Sequence, residues 1–164
     1  MKPGLTEMIG ATDQPVTLTG SAQTTAFALQ PASGPSPKTA VAAPSAHTHL
    51  KIENVVSMKS HATYEVYVNL PDNPDAAAYK EHYAGVMHLF GVVKASTRSD
   101  RHSGDGLSFS LDITQLVDRL KARNAWDDRN IRVTFLARQT GGTASAAMAG
   151  HDPIRVGRVS LYKA

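Results

Sequence analysis

From Leu50 onwards apolar and polar side chains alternate with a period of two, the spacing of strands that bury one face. Leu50, Ile52 and Asn54 share a face that Val56 and Met58 continue. Tyr64, Val66 and Val68 define the next strand, with Glu65, Tyr67 and Asn69 on its other side. The strand is expected to stop at Leu70-Pro71-Asp72-Asn73-Pro74-Asp75, because proline cannot donate to a ladder and Asp and Asn favour turns. A helical turn is predicted at Ala76 to Lys80. Residues 84–93, bracketed by glycines, read as a strand or as two strand ends meeting at a bend, and 99–106 as a polar turn.

Leu107, Phe109, Leu111 and Ile113 alternate strictly, which is the strongest strand signal in the chain. One helix interrupts the pattern. Asp112 or Thr114 caps it, Leu116, Val117 and Leu120 form its apolar stripe, and Asn124 ends it. Ile131, Val133, Phe135 and Ala137 predict another strand, 140–153 a loop of small residues, and Ile154 to Tyr162 a strand that closes the sheet. Six strands with one short helix predict an all-β fold, an antiparallel β-sandwich or jelly-roll-like barrel.

The first 48 residues are different, being dominated by Ala, Pro, Ser, Thr and Gly. Two short runs, Pro15 to Thr19 and Thr24 to Leu29, alternate but lack the large apolar side chains of an independent hairpin. They are expected to lie against something else. Pro31 to Ser45 has no hydrophobic period and cannot bury enough surface to offset the entropy of ordering. The expected organisation is a segment of short strands over 1–30, a flexible linker over 31–48 that is open to proteolysis at Lys38, and a sandwich over 49–164.

Composition removes several function classes. With no cysteine there is no disulfide, thiolate metal site or Cys-x-x-Cys pair. No apolar run approaches the roughly 20 residues that span a bilayer, and no charged segment followed by an apolar one marks a signal peptide. The expectation is a soluble protein without membrane contact, with the bacterial cytoplasm and export alongside a parent protein both open. The net charge of +3 is small, and Arg119, Lys121 and Arg123 are diluted by Asp118, Asp127 and Asp128, so nucleic-acid binding is not expected.

Seven histidines raise the question of metal binding. His47 and His49 lie on one side of an extended chain, but beside the linker; His61, His82, His88, His102 and His151 are scattered, and no carboxylate joins two of them at a chelating spacing. No metal ligand is expected. There is no Gly-x-Ser-x-Gly elbow and no phosphate-cradling loop, and Gly104-Asp105-Gly106 reads as a turn. Capping and solvation account for Asp112, Asp118, Asp127 and Asp128.

An ordered set of motifs carries a resemblance. Thr63-Tyr64-Glu65-Val66-Tyr67-Val68-Asn69 is similar to the Lys-Phe-Asp-Val-Tyr-Ile-Asn segment of the C-terminal domain of plant polyphenol oxidases, and His82 to His88 resembles its Glu-Phe-Ala-Gly-Ser-Phe stretch. Leu107 to Val117, Asp127 to Arg138 and Ile154 to Leu161 resemble its later strand-helix, strand and closing-strand elements in order. Glu7 to Thr12 is similar to the segment that follows the copper-binding domain of bacterial tyrosinases.

The resemblance implies the C-terminal domain of a type 3 copper tyrosinase or polyphenol oxidase, in the haemocyanin-like sandwich class. It implies a chain without catalysis of its own, without copper ligands or another cofactor. The dicopper centre and the monophenol and o-diphenol oxidase activity would belong to a partner catalytic domain, in the same polypeptide or a separate one. The domain would cover the active-site entrance in a latent enzyme and project one side chain into the substrate pocket. By the spacing Tyr83-Ala84-Gly85, four residues, then Phe90 and Gly91, that plug is Phe90. A phenyl ring mimics the phenol substrate and resists oxidation, and Met87 and Leu89 on the alternate face would then pack the sandwich. A one-residue slip would make Leu89 the plug, His88 is its other neighbour, and a core position for Phe90 is the alternative. His88 or Met87 would at most touch copper transiently. The absence of the Cys-x-x-Cys of fungal relatives argues against thiolate copper loading. Two other classes stay open: a stand-alone module binding a protein or carbohydrate, for which Trp126 is the sole tryptophan, and a small copper enzyme in its own right.

Overall fold

A computed structural model describes residues 7–19, 22–30, 47–58, 63–101, 103–138 and 154–163. Its elements in chain order are β1 (Glu7–Ala11), β2 (Val16–Leu18), β3 (Gln23–Phe27), β4 (Thr48–Val56), β5 (Thr63–Val68), α1 (Ala76–Glu81), β6 (Tyr83–His88), α2 (Val92–Ser96), β7 (Leu107–Asp112), α3 (Thr114–Ala122), β8 (Ile131–Ala137) and β9 (Ile154–Lys163). One sheet runs β1-β9-β4-β7, with β2 also on β9; the other runs β3-β8-β5-β6. All strand pairs are antiparallel. Neither sheet closes on itself, so the fold is an open sandwich and the barrel alternative is set aside.

The inward rows meet as the alternation requires. Leu50, Ile52, Val156, Val159 and Leu161 of the first sheet share one buried cluster with Tyr64, Val66, Val68, Val133 and Phe135 of the second. The N-terminal runs join both layers: β1 and β2 pair with β9, β3 pairs with β8, and Leu18 and Phe27 are buried in the same core. The linker expected over 31–48, Lys38 included, lies outside the described residues but for its last two positions.

Two expectations need correction. Continuing the Leu50 face through Asn54 and Val56 fails, because the β4 register shifts between Ile52 and Val55. Asn54 takes a φ of 55°, Val55 enters the core, Val56 is only partly buried and Met58 is 60 % exposed. β9 changes face at the same level, from Val156 to Val159, and there a Cβ on Gly157 would lie 2.7 Å from the Cβ of Asn54. The paired irregularity thus keeps both strands apolar inward on either side of it.

The second correction concerns the helices: besides α3, and α1 at the helical turn expected over Ala76 to Lys80, the described residues hold a further one, α2. Asp75 caps α1 by accepting from the Ala78 N–H at 2.8 Å, and Val92 and Val93, read as strand, begin α2. The third helix, α3, has the buried stripe and the end at Asn124 that the sequence predicts, but its N-cap is Ile113, between the candidates Asp112 and Thr114, and no side chain caps it there. Asp112 Oδ1 accepts from the Thr114 N–H at 3.0 Å, and hydrogen bonds from the Thr114 hydroxyl and backbone hold its carboxyl below the ordinary range. At the other end Asn124 has a φ of 56°, and the Ala125 and Asn124 N–H groups return to Leu120 O and Lys121 O at 2.8 and 3.1 Å. This is a Schellman termination with asparagine in the left-handed position.

Candidate functional site

β6 is the outer strand of its sheet and runs into a sharp bend before α2. Its alternation survives into the bend: Met87 is buried, His88 exposed, Leu89 buried at 1 % exposure, and Phe90 is 90 % exposed. Gly91 then takes a φ of 80°, a conformation that L side chains rarely adopt, and the chain turns so that Val92 re-enters the core. A tip carrying Phe90 is therefore held between two buried anchors, Leu89 and Val92.

Hydrogen bonds fix the tip from below. The Val92 N–H donates to Leu89 O at 3.2 Å and the Ala95 N–H to Gly91 O at 3.0 Å. Ser96 Oγ donates to Val92 O at 2.7 Å and accepts from the Ser57 N–H at 3.0 Å, and the Gly106 N–H donates to Ala95 O at 3.0 Å. The short helix α2 is thereby tied to the end of β4 and to the start of β7. Leaving a phenyl ring in water forgoes the roughly 1.5–3 kcal/mol that full burial of such a side chain contributes.

His88 stands opposite Thr63 in the β5–β6 ladder, its side chain exposed below Phe90. His82 is elsewhere: it caps α1, is buried, and its Nδ1 stands 2.9 Å from Val68 O, a structural bond. His61, His102 and His151 lie outside the described residues. Among the described residues no group of three or more His, Cys, Asp or Glu stands arranged to hold a metal ion, and no helix is long and apolar enough to cross a membrane.

The outer face of β5 and β6 carries an aromatic group that sequence reading did not single out. Tyr79 and Tyr83 meet Tyr67 edge-on at centroid distances of 5.4 and 5.8 Å. Burial, and then the hydrogen bond that Tyr67 Oη donates to Glu65 Oε2 at 2.6 Å, push the Tyr67 phenol well above its ordinary pKa. Only Tyr83 is substantially exposed, so these rings form no flat platform of the kind that stacks on sugars. An open groove of about 750 Å³ beside Met58, Ser96, Asp105 and Arg155 does not include Phe90 in its lining.

The chain matches, over residues 5–164, the family model described as Domain of unknown function (DUF7868). It is 32% identical over 115 residues to tyrosinase HcTyr1 of Hahella sp. strain CCB-MM4, an alignment that takes in 70% of this chain and 23% of that protein. Among solved structures it is similar to latent aurone synthase from natural source, a polyphenol oxidase (18% identity, 93% of this chain, 26% of that chain, TM-score 0.56). It is also similar to the recombinantly expressed latent enzyme (17% identity, 93% and 26%, TM-score 0.55). The chain spans about a quarter of the length of the proteins that it matches.

Proposed function

This chain belongs to the DUF7868 family and is homologous to part of a tyrosinase, and on that premise we propose that it is the C-terminal shielding domain of a tyrosinase or polyphenol oxidase. In this reading the sandwich covers the entrance to a dicopper centre held by a partner catalytic domain. Phe90 fills the phenol pocket, and phenols are excluded until the contact is loosened or the chain is cut, with Lys38, in the segment between β3 and β4, as the cleavage candidate. The dicopper ligands belong to the partner, and this chain supplies shape and apolar surface.

One observation carries the reading: Phe90 is 90 % exposed at the tip of a bend whose two flanking side chains are buried. A ring presented on a braced tip loses little conformational freedom on insertion, which is the preorganisation that makes a small contact effective. An aromatic anchor in a fitted pocket is also the kind of residue that dominates interface energy. The fold it shares with latent aurone synthase, a polyphenol oxidase, supports the same assignment.

The test is a titration. Copper-loaded catalytic domain of the homologous tyrosinase, assayed with phenol and with catechol, should lose activity in proportion to added chain, with saturation at one equivalent. Undiminished oxidation at a large excess of folded chain would refute the shielding role.

A further inference from the structure

We infer that β7 is a docking edge for a second copy of this chain. The two β7 strands pair antiparallel about a two-fold axis at Phe109 and join the first sheets of the two copies into one. β7 ends the order β1-β9-β4-β7, and among the described residues only β4 pairs with it. One contact sets the direction of its hydrogen bonds. Just past the strand, the Ile113 N–H donates to Thr48 O at 2.9 Å, so odd-numbered residues here turn their backbone groups towards β4. Leu111 and Phe109 thus bond Leu50 and Ile52, while the N–H and C=O groups of Ser108 and Ser110 point away from β4, along an exposed edge.

Among the described residues nothing blunts this edge. Sheets commonly protect an open strand with charge, proline or a bulge. The segment Leu107-Ser108-Phe109-Ser110-Leu111 carries neither charge nor proline. The extra residue of the β4–β7 irregularity lies in β4, so β7 keeps strict alternation, with Leu107, Phe109 and Leu111 half-buried and the serines exposed. An open, regular and uncharged strand is a template for one more strand.

The sequence of the edge selects a second copy as that strand, because Leu-Ser-Phe-Ser-Leu is its own reverse. Antiparallel pairing centred on Phe109 sets Leu107 against Leu111 of the other copy, Ser108 against Ser110, and Phe109 against Phe109. Each Ser108–Ser110 pair exchanges both of its outward N–H and C=O groups. The two Phe109 rings meet at a non-hydrogen-bonded position, where opposed side chains stand closest and aromatic pairs stabilise a sheet. Charge permits the match: Asp112 comes opposite Gly106 of the other copy, which keeps the two carboxylates apart. The contact is isologous and closes at two copies. Five residues at about 3.4 Å each make a seam of about 17 Å. One strand deep, it falls short of the roughly 1,200–2,000 Å² that stable interfaces bury, so the dimer is weak. The Gly106 N–H donates to Ala95 O at 3.0 Å and ties α2 to the start of β7. The two-fold therefore carries the two Phe90 tips to opposite ends of the joined sheet.

The intact chain is followed by analytical ultracentrifugation from micromolar to millimolar concentration, with Ser110→Pro, Ser108→Lys and the control Gln23→Lys on β3, the edge of the other sheet. Proline removes an N–H that β4 does not use, a place where edge strands tolerate it, and Ser108→Lys sets like charges on the seam while sparing the backbone. Expected are a reversible monomer–dimer equilibrium, a dissociation constant at least tenfold weaker in both β7 variants, and no change in the control. Melting temperatures of dilute Ser108→Lys near the wild-type value separate loss of the seam from loss of the fold. The chain has no cysteine of its own, so register can be read by oxidising a mixture of Ser108→Cys and Ser110→Cys proteins. Hydrogen-bonded antiparallel pairs hold Cα atoms about 5.5 Å apart, a disulfide spacing, so the mixed disulfide should exceed its statistical share. A monomer at every concentration, a dimer indifferent to both β7 variants or equally weakened by Gln23→Lys, or disulfides in statistical proportion would overturn the inference.

Discussion

Leu89 and Phe90 are adjacent in the chain and opposite in environment: 1 % of Leu89 is exposed and 90 % of Phe90. The difference follows from β6 alternation carried one step past the strand, with Gly91 reversing the chain before the next inward residue, Val92. Stability should divide the same way. Leu89→Ala leaves a cavity in the core and is expected to lower unfolding free energy by about 2–5 kcal/mol. Phe90→Ala should change it by no more than about 0.5 kcal/mol, as surface substitutions generally do. Urea denaturation of the two variants checks this pair, and comparable losses would mean that Phe90 is a packing residue.

Gly91 turns the chain with a φ of 80°, and a Cβ there would meet nothing within 4 Å. Its replacement is therefore limited by conformation and not by space. Gly91→Ala is expected to destabilise by about 1 kcal/mol, while Gly91→Asn, which tolerates the left-handed region, should lose less. Equal melting temperatures for all three proteins would show that the bend does not depend on the positive φ.

At the paired irregularity of β4 and β9, a Cβ on Gly157 would meet the Asn54 Cβ at 2.7 Å. Gly157→Ala must push the strands apart, at an expected loss of roughly 1–3 kcal/mol. Asn54→Gly removes the opposing atom and suits the φ of 55° at that position. A double-mutant cycle should accordingly show the pair less destabilised than the sum of the single changes. Simple additivity would place the two residues out of contact.

Tyr67 holds its proton more tightly in the folded protein than its ordinary value of 10.0, through burial and then through the hydrogen bond and charge of Glu65. The sign is that of a raised group. Its contribution is complete below the unfolded value and is lost as pH rises towards the folded one, because the unfolded chain releases the proton first. Unfolding free energy should fall as pH climbs above about 10, and Tyr67→Phe should flatten that decline. The phenolate absorbance of the folded chain should also lack one tyrosine that appears on denaturation. An alkaline profile unaltered by Tyr67→Phe would assign the decline to other groups.

Much of the fold was legible because the core is built from strict alternation. Leu107 to Ile113 and Tyr64 to Val68 fell where period two put them, and Asn124 marked the end of α3 through its left-handed φ, while the N-cap fell to Ile113 and not to Asp112 or Thr114. What escaped depended on partners remote in sequence. The face change after Ile52 is visible only once Asn54 meets Gly157 across the ladder. Val92 and Val93 are β-branched and read as strand, yet Gly91 ahead of them and the burial of Val92 favour a helical turn. The Phe90 tip was picked out by motif spacing and alternation together, whereas the open edge at β7 needed the sheet order.

The shielding account is tested most directly by inhibition of a copper-loaded tyrosinase catalytic domain, measured side by side with the wild-type chain and with Phe90→Ala. The account expects strong inhibition of phenol and catechol oxidation by the wild type, and at least tenfold weaker inhibition by a Phe90→Ala chain of unchanged stability. Equal inhibition by the two chains would contradict Phe90 as the plug, and no inhibition by either would contradict the shielding role itself.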